Sequence, residues 1–217
     1  MHTLESEMSP EELALLTSTL RAAPSDGSYL EVGTSAGGTL CRMLAALSPA
    51  QRSRFVVVDT FEYFQDQSKI FRRNLIERGF EPDELKIRAT SSAEALAEAR
   101  RTGETFAFML IDASHKLRYV MEDLGWLGLL SAGGMAALHN YAELWPGVQI
   151  AADRFLRRNP HYAVAGRAGS LLVLRKQSVS VRPEVGLNDL VFARTRSVLM
   201  QWQQSWRKRR ARLSGAR

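Results

Sequence analysis

The chain has 217 residues, 45% hydrophobic and 24% charged, the proportions of an ordinary globular protein and not of a disordered one. Its formal charge of +6 points at first to a nucleic-acid or anionic-surface binder, but that charge is not spread over the chain. Eight basic residues and no acidic ones lie from Leu190 onward, leaving 21 basic and 23 acidic side chains, a net of −2, in residues 1–189.

A single cysteine, Cys41, excludes a disulfide scaffold and any multi-cysteine zinc site, and suits a reducing compartment. The first seven residues are polar and acidic, unlike a secretory signal. The most apolar run, 106–111, is too short to span a bilayer. The expectation is a soluble, cytoplasmic protein.

In chain order, Ser9-Pro10-Glu11-Glu12 predicts a helix start, with Ser9 as N-cap, Pro10 in the first turn and Glu12 closing a capping box. Leu13, Leu16 and Leu20 share one face of that helix, and the Pro24–Gly27 stretch ends it. Residues 29–32 predict a strand ending at Gly33, followed by a helix over 38–47. A second strand, 55–58, ends at Asp59 and leads to a helix over 68–78 that stops at Gly79. A strand over 85–88, an Ala-rich helix over 93–100 and a buried strand over 106–111 come next. Leu117, Val120, Leu124 and Leu127 form a helical stripe, and 135–138 predict a fifth strand. A helix around 148–158 precedes two runs, 162–165 and 170–174, joined by a short glycine-containing turn as a hairpin. Strands alternating with helices at this spacing predict an α/β fold, a parallel sheet covered on both faces.

Ligands bind such sheets outside the carboxyl ends of the strands. Those ends carry Glu31-Val-Gly33, Asp59, Asp112 and His139-Asn140, so polar residues and glycine gather on one rim. The turn Glu31-Val-Gly-Thr-Ser-Ala-Gly-Gly-Thr39 has neither the dinucleotide spacing nor that of a P-loop. Asp59, after the second strand, is positioned to accept hydrogen bonds from ribose hydroxyls; the bland alternative is a helix cap.

With these residues in place the chain resembles class I S-adenosylmethionine (SAM)-dependent methyltransferases over residues 9–175. The nearest likeness is to bacterial small-molecule O-methyltransferases of the macrocin type and their catechol and caffeoyl-CoA relatives. The matching segments are 31–39, 58–61, 71–75, Thr90-Ser91-Ser92 with Glu94 and Leu96, Ile111-Asp112-Ala-Ser-His115, and 133–141. The resemblance implies a Rossmann-like seven-stranded, mostly parallel sheet completed by the C-terminal hairpin. With the resemblance covering the body, the chain divides into a SAM-binding domain (1–176), and composition and charge mark off a linker (177–189) and a basic amphipathic helix or tail (190–217).

The resemblance also implies roles. Glu31, Gly33 and Gly37 line the methionine end of SAM, Asp59 holds the ribose, Ser91 sits beside the adenine, and Thr34 and Asp112 complete the cofactor set. His115, three residues beyond Asp112, is the candidate general base for O-methylation of a sugar, polyketide or phenolic hydroxyl. Its bland reading is a surface histidine in a helix-opening loop. Asp112 and Asn140 match positions that hold magnesium, but His139 and Asn140 depart from the relatives' carboxylates, so metal binding and a purely pocket-shaping role stand even. No Asn/Asp-Pro-Pro-Tyr/Phe stretch occurs, which argues against methylation of exocyclic amines. The alternatives are a non-catalytic SAM-binding protein and an RNA methyltransferase recruited by the tail.

In that tail Val191, Val198, Trp202 and Trp206 fall near one helical face, with Leu199 and Leu213 adjacent and Arg207–Arg212 at the end. Packing on the body or a homodimer ranks first, an anionic membrane surface second and nucleic acid third.

Overall fold

The computed structural model describes residues 6–24, 27–178 and 183–214, and beyond residue 200 the side chain of Trp202 only. Its elements are α1 (Pro10–Ala22), β1 (Ser28–Val32), α2 (Gly38–Ala45), α3 (Pro49–Arg52), β2 (Phe55–Asp59), α4 (Gln67–Glu77), β3 (Lys86–Ala89), α5 (Ser92–Thr102), β4 (Phe106–Ile111), α6 (Leu117–Asp123), β5 (Leu130–Leu138), α7 (Pro146–Arg158), β6 (Tyr162–Ala168), β7 (Leu171–Lys176) and α8 (Leu187–Ser214). The strands form one seven-stranded sheet in the order β3-β2-β1-β4-β5-β7-β6. The first five are mutually parallel, and β7 runs antiparallel to both β5 and β6.

The first helix forms for the reason its sequence states. Ser9 Oγ accepts the Glu12 N–H, and the Glu12 carboxylate accepts the Ser9 N–H at 2.7 Å. Glu12 does a second job: its other oxygen accepts the N–H and Oγ of Ser170, 2.6 and 2.7 Å away, tying α1 to the β6–β7 turn. A similar Ser48–Gln51 capping box starts the four-residue α3, which the apolar pattern does not reveal.

Alternate residues of each strand feed two cores. Leu30, Val32, Val56, Val58, Met109 and Ile111 pack with α5, α6, α7 and the first half of α8. Tyr29, Phe55, Val57, Phe108 and Leu110 pack with α1, α2 and α4. This is the period-two signature of a sheet buried on both faces. The register of β4 shifts between Phe106 and Phe108 against β5, the local effect of a bulge.

The stripe from Leu117 to Leu127 spans a change of helix geometry, with α6 ending at Asp123 and a 3-10 stretch running over Leu124–Leu129. The 3-10 turns put Trp126 fully inside, its indole N–H donating to Ser92 Oγ at 3.0 Å.

The C-terminal helix starts at Leu187, three residues before the sequence predicts. Of the expected linker, residues 179–182 lie outside the described residues, while Glu184 and Asp189 are anchored to the body. Lys176, buried at the end of β7, donates to Glu184 at 2.9 Å and to the Leu127 and Gly128 carbonyls. Asp189 is clasped by Arg154 and Arg158 of α7 at 2.8 and 2.9 Å. Ala193 of α8 is fully buried, with Leu190 and Met200 packed on the same core.

Candidate active site

The sheet reverses its strand order between β1 and β4, which opens a crevice at their carboxyl ends. A cavity of about 800 Å³ lies there. Its wall includes Glu31, Gly33, Thr34, Asp59, Asp112 and His115, so one space gathers residues that are up to 84 positions apart in sequence.

Gly33 makes the crevice geometrically workable. It has φ +86°, and a Cβ there would press on Ala113 Cα and the Asp112 carbonyl at 2.5 Å. The loop after it is held from behind by two buried amides. Asn74 of α4 donates to the Ala36 carbonyl at 2.9 Å, and Gln67 donates to the Ser35 carbonyl at 3.1 Å and to Asp59 at 3.3 Å. The pattern of α4 marks its apolar face but gives no role to Gln67, whose contacts are all distant in sequence or local to a loop. Ser35, Phe61 and Asn140 adopt positive φ around this rim, a cost tolerated where surrounding contacts over-determine the backbone.

Asp59 accepts the Thr34 N–H at 2.9 Å and the Phe61 N–H at 2.7 Å. These bonds orient the carboxylate across the cavity and leave acceptor capacity for hydroxyl donors. Glu31 is the opposite case. It is buried, and neither its Oε2 nor the adjacent Thr34 Oγ1 makes a hydrogen bond of normal geometry. Burial pushes the Glu31 carboxyl up to about 8, with added repulsion from Asp112 and Asp59 and only partial relief from Thr34. A buried carboxylate and hydroxyl left in this state at a Gly-rich turn fit an ammonium donor, which the methionine end of SAM carries.

Gly37 supplies the left-handed entry to α2 at φ +87°. Ser91 caps α5, its Oγ bonded to Glu94 Oε2 at 2.7 Å, so the cavity wall at that point is formed by the flanking Thr90 and Ser92.

His115 lies in the loop between β4 and α6, half-buried, with its ring against Trp145 at a centroid distance of 4.2 Å. Desolvation lowers its pKa below the ordinary imidazole value against the opposing pull of Asp112. The imidazole is therefore neutral at pH 7, the form in which it accepts a proton. Gly147, near the start of α7, lets that helix approach this loop: a Cβ there would collide with the His115 carbonyl.

Asp112 and Asn140 occupy the ends of neighbouring strands, but their surroundings do not fit a magnesium ion. Both Asp112 oxygens face Nδ1 of His139 at 3.0 Å. Asn140 contributes only a neutral amide, whose Oδ1 is buried and unpartnered. No group of three His, Cys, Asp or Glu side chains converges on a metal-sized point among the described residues. Magnesium favours several hard oxygen donors, and one carboxylate already engaged by an imidazole is a poor start. Burial alone would lower the His139 pKa, but the hydrogen bond and charge of Asp112 outweigh it and hold it above the ordinary value.

The first described residues, Ser6 and Glu7, also reach the cavity wall, Ser6 Oγ lying 2.7 Å from Thr39 Oγ1. Nothing in their local sequence marks them as site residues. Glu62, Tyr63 and Lys116 complete the outer wall.

The strand order, the Gly-rich turn at the switch point and the carboxylate after β2 together form the class I SAM-dependent methyltransferase architecture. A family model described as a methyltransferase domain matches residues 30–141, just over half of the chain, and the chain belongs to that family. No curated protein sequence matches it. Among solved structures, an O-methyltransferase from Bacillus cereus in complex with S-adenosylhomocysteine is 18% identical, with a TM-score of 0.61 over 78% of this chain and 83% of that one. The O-methyltransferase NovP is 16% identical, with a TM-score of 0.64 over 80% of this chain and 82% of that one. TomG from Streptomyces achromogenes, an O-methyltransferase of tomaymycin synthesis in complex with SAM, is 16% identical, with a TM-score of 0.60 over 80% and 82%. At these identities the likeness is one of fold. No helix among the described residues is long and apolar enough to cross a membrane.

Proposed function

We propose that the protein transfers the methyl group of SAM to a hydroxyl of a small, uncharged or amine-bearing metabolite, with His115 as the general base. The observation that carries this reading is the cavity shared by Glu31, Asp59 and His115. When bound, SAM supplies an electrophilic methyl on a sulfonium sulfur. Glu31 and Thr34 hold the amine end and Asp59 the ribose hydroxyls. Thr90 and Ser92 flank the adenine side, in place of the Ser91 between them, whose hydroxyl caps α5.

The chain's own contribution to the reaction is placement and proton removal. A neutral His115 takes the hydroxyl proton as the oxygen attacks, and its contact with Trp145 limits the ring's motion while it does so. The acceptor's charge is set by the wall. Among the described residues, Glu7, Asp59, Glu62 and Asp112 line the cavity with one lysine, Lys116, while the buried Glu31 keeps its proton at pH 7 until an ammonium group reaches it. An anionic acceptor, such as an acyl-CoA thioester, meets repulsion there, whereas a sugar, polyketide or phenol bearing no acid group does not. The O-methyltransferase names of the structural neighbours support transfer to oxygen.

The test is a screen with labelled SAM against neutral, amine-bearing and anionic hydroxylated acceptors, each with and without a chelator. Turnover of a neutral or amine-bearing acceptor that survives chelation is the expected result. Loss of turnover on chelation, restored by magnesium, would return Asp112 and Asn140 to the role of metal ligands. Absence of transfer to every acceptor, with SAM still bound, would favour a non-catalytic SAM-binding protein. Asp59→Ala is expected to abolish SAM binding by calorimetry; normal binding by that variant overturns the cofactor assignment.

A further inference from the structure

The apolar face that the sequence picks out in the C-terminal helix is not the face that docks on the body. Leu190, Ala193 and Met200 turn inward, and Asp189 on the same side is held by Arg154 and Arg158. Leu187, Val191, Val198 and Trp202 are exposed by 75%, 51%, 66% and 64% of their surfaces. At 3.6 residues per turn these four lie within about 60° of one another, roughly opposite Ala193. A stripe of large apolar side chains therefore faces outward on a helix whose orientation is set by the ion pairs of buried Asp189.

We infer that this stripe is the docking surface for an anionic phospholipid bilayer. Charge complementarity selects that occupant. From Leu190 onward the chain carries eight cations and no anionic side chain, among them Arg207, Lys208, Arg209, Arg210 and Arg212 within α8. Exposed Arg196 adds a cation within the docked half, as does Arg194, which also lies 3.9 Å from Glu122 of α6. Two copies meeting along this helix would set arginine against arginine; the helix has no acidic side chain beyond Asp189, and among the described residues Glu122 of α6, 3.9 Å from Arg194, relieves that one arginine. A nucleic acid would neutralise the cations but leave Leu187, Val191 and Val198 unused. An anionic bilayer takes both: headgroups meet the arginines, and the acyl boundary receives the valines and the tryptophan. The inference does not depend on what the active site methylates.

The full-length protein is mixed with vesicles of phosphatidylcholine alone, or with about one third phosphatidylglycerol, and sedimented. The expected result is co-sedimentation with the anionic vesicles only, weakened by salt. The double variant Val198→Asp, Trp202→Ser is expected to reduce that binding by about tenfold or more. Both side chains are exposed, and unchanged SAM affinity in the variant reports that the body is folded. Three results overturn the inference: no partition onto anionic vesicles; partition that the double variant leaves intact, which would make it a property of the basic end alone; and a dimer or RNA complex that the double variant abolishes while vesicles go unbound.

Discussion

Glu31 is a buried acid that stays neutral by keeping its proton, and it gives that proton up most readily when a cation arrives. Its unfolded pKa is near 4.5 and its folded value about 8, so the native state holds its proton more tightly. Stability is therefore greatest below pH 4.5 as far as this group is concerned, and it falls as pH climbs towards 8. Glu31→Gln is expected to raise unfolding free energy at pH 8 by on the order of 4 kcal/mol, and to leave it nearly unchanged near pH 4.5. The same variant should lose the stabilisation that SAM confers on the wild type. Equal urea midpoints for the two proteins at pH 8 would remove the buried-acid account. His115 has the opposite shift and a different readout. His115→Ala should retain SAM affinity in calorimetry while kcat falls by roughly a hundredfold or more. In the wild type the rate should rise with pH to a plateau whose midpoint lies below that of a free histidine, because desolvation favours the neutral ring. A variant with full activity removes His115 as the base.

At the scale of elements, much of the chain's local structure was legible because each signal acts over a few residues. The Ser9–Glu12 capping box, the apolar strand over 106–111 and the helix stop at Gly79 all appear where the pattern predicts. The short α3 and the early start of α8 were not legible. A four-residue helix has no periodicity, and the turn before Leu187 is organised by Lys176 and Arg154, which belong to other elements. Lys176 offers a test of that organisation. It is 2% exposed and paired with Glu184. Lys176→Met, which leaves buried Glu184 with only His161, 3.8 Å away, as a basic neighbour among the described residues, should cost about 3–5 kcal/mol in chemical denaturation. Replacing both partners by apolar residues should recover most of the loss. A single variant as stable as the wild type would show that the pair does not fasten the helix.

For the whole molecule, charge and fold are separable. The body from the first residue to residue 189 is nearly neutral, and the cations collect in a helix whose first half docks on it. Truncation after Met200 removes Arg207, Lys208, Arg209, Arg210, Arg212 and Arg217, taking the formal charge from +6 to 0. The docked half of α8 remains, so the thermal midpoint and SAM affinity are expected to change little while solubility near neutral pH declines. A large loss of SAM affinity on truncation would mean that the basic end takes part in the site.

What this sequence determined by itself is whatever depends on neighbours along the chain: the βα alternation, the glycine turn, the caps and the segregation of charge. It also brought the rim residues Glu31, Asp59, Asp112 and His115 to attention, because strand ends are local features and a parallel sheet puts all its carboxyl ends on one side. Only the tertiary structure decided what those residues meet. The engagement of Asp112 by His139, the support of the Gly-rich loop by Gln67 and Asn74, and the outward aim of Val191, Val198 and Trp202 are contacts or orientations between distant segments. A helix with two faces shows in its sequence that the faces differ; which of them turns inward depends on the shape and charge of the body it docks against.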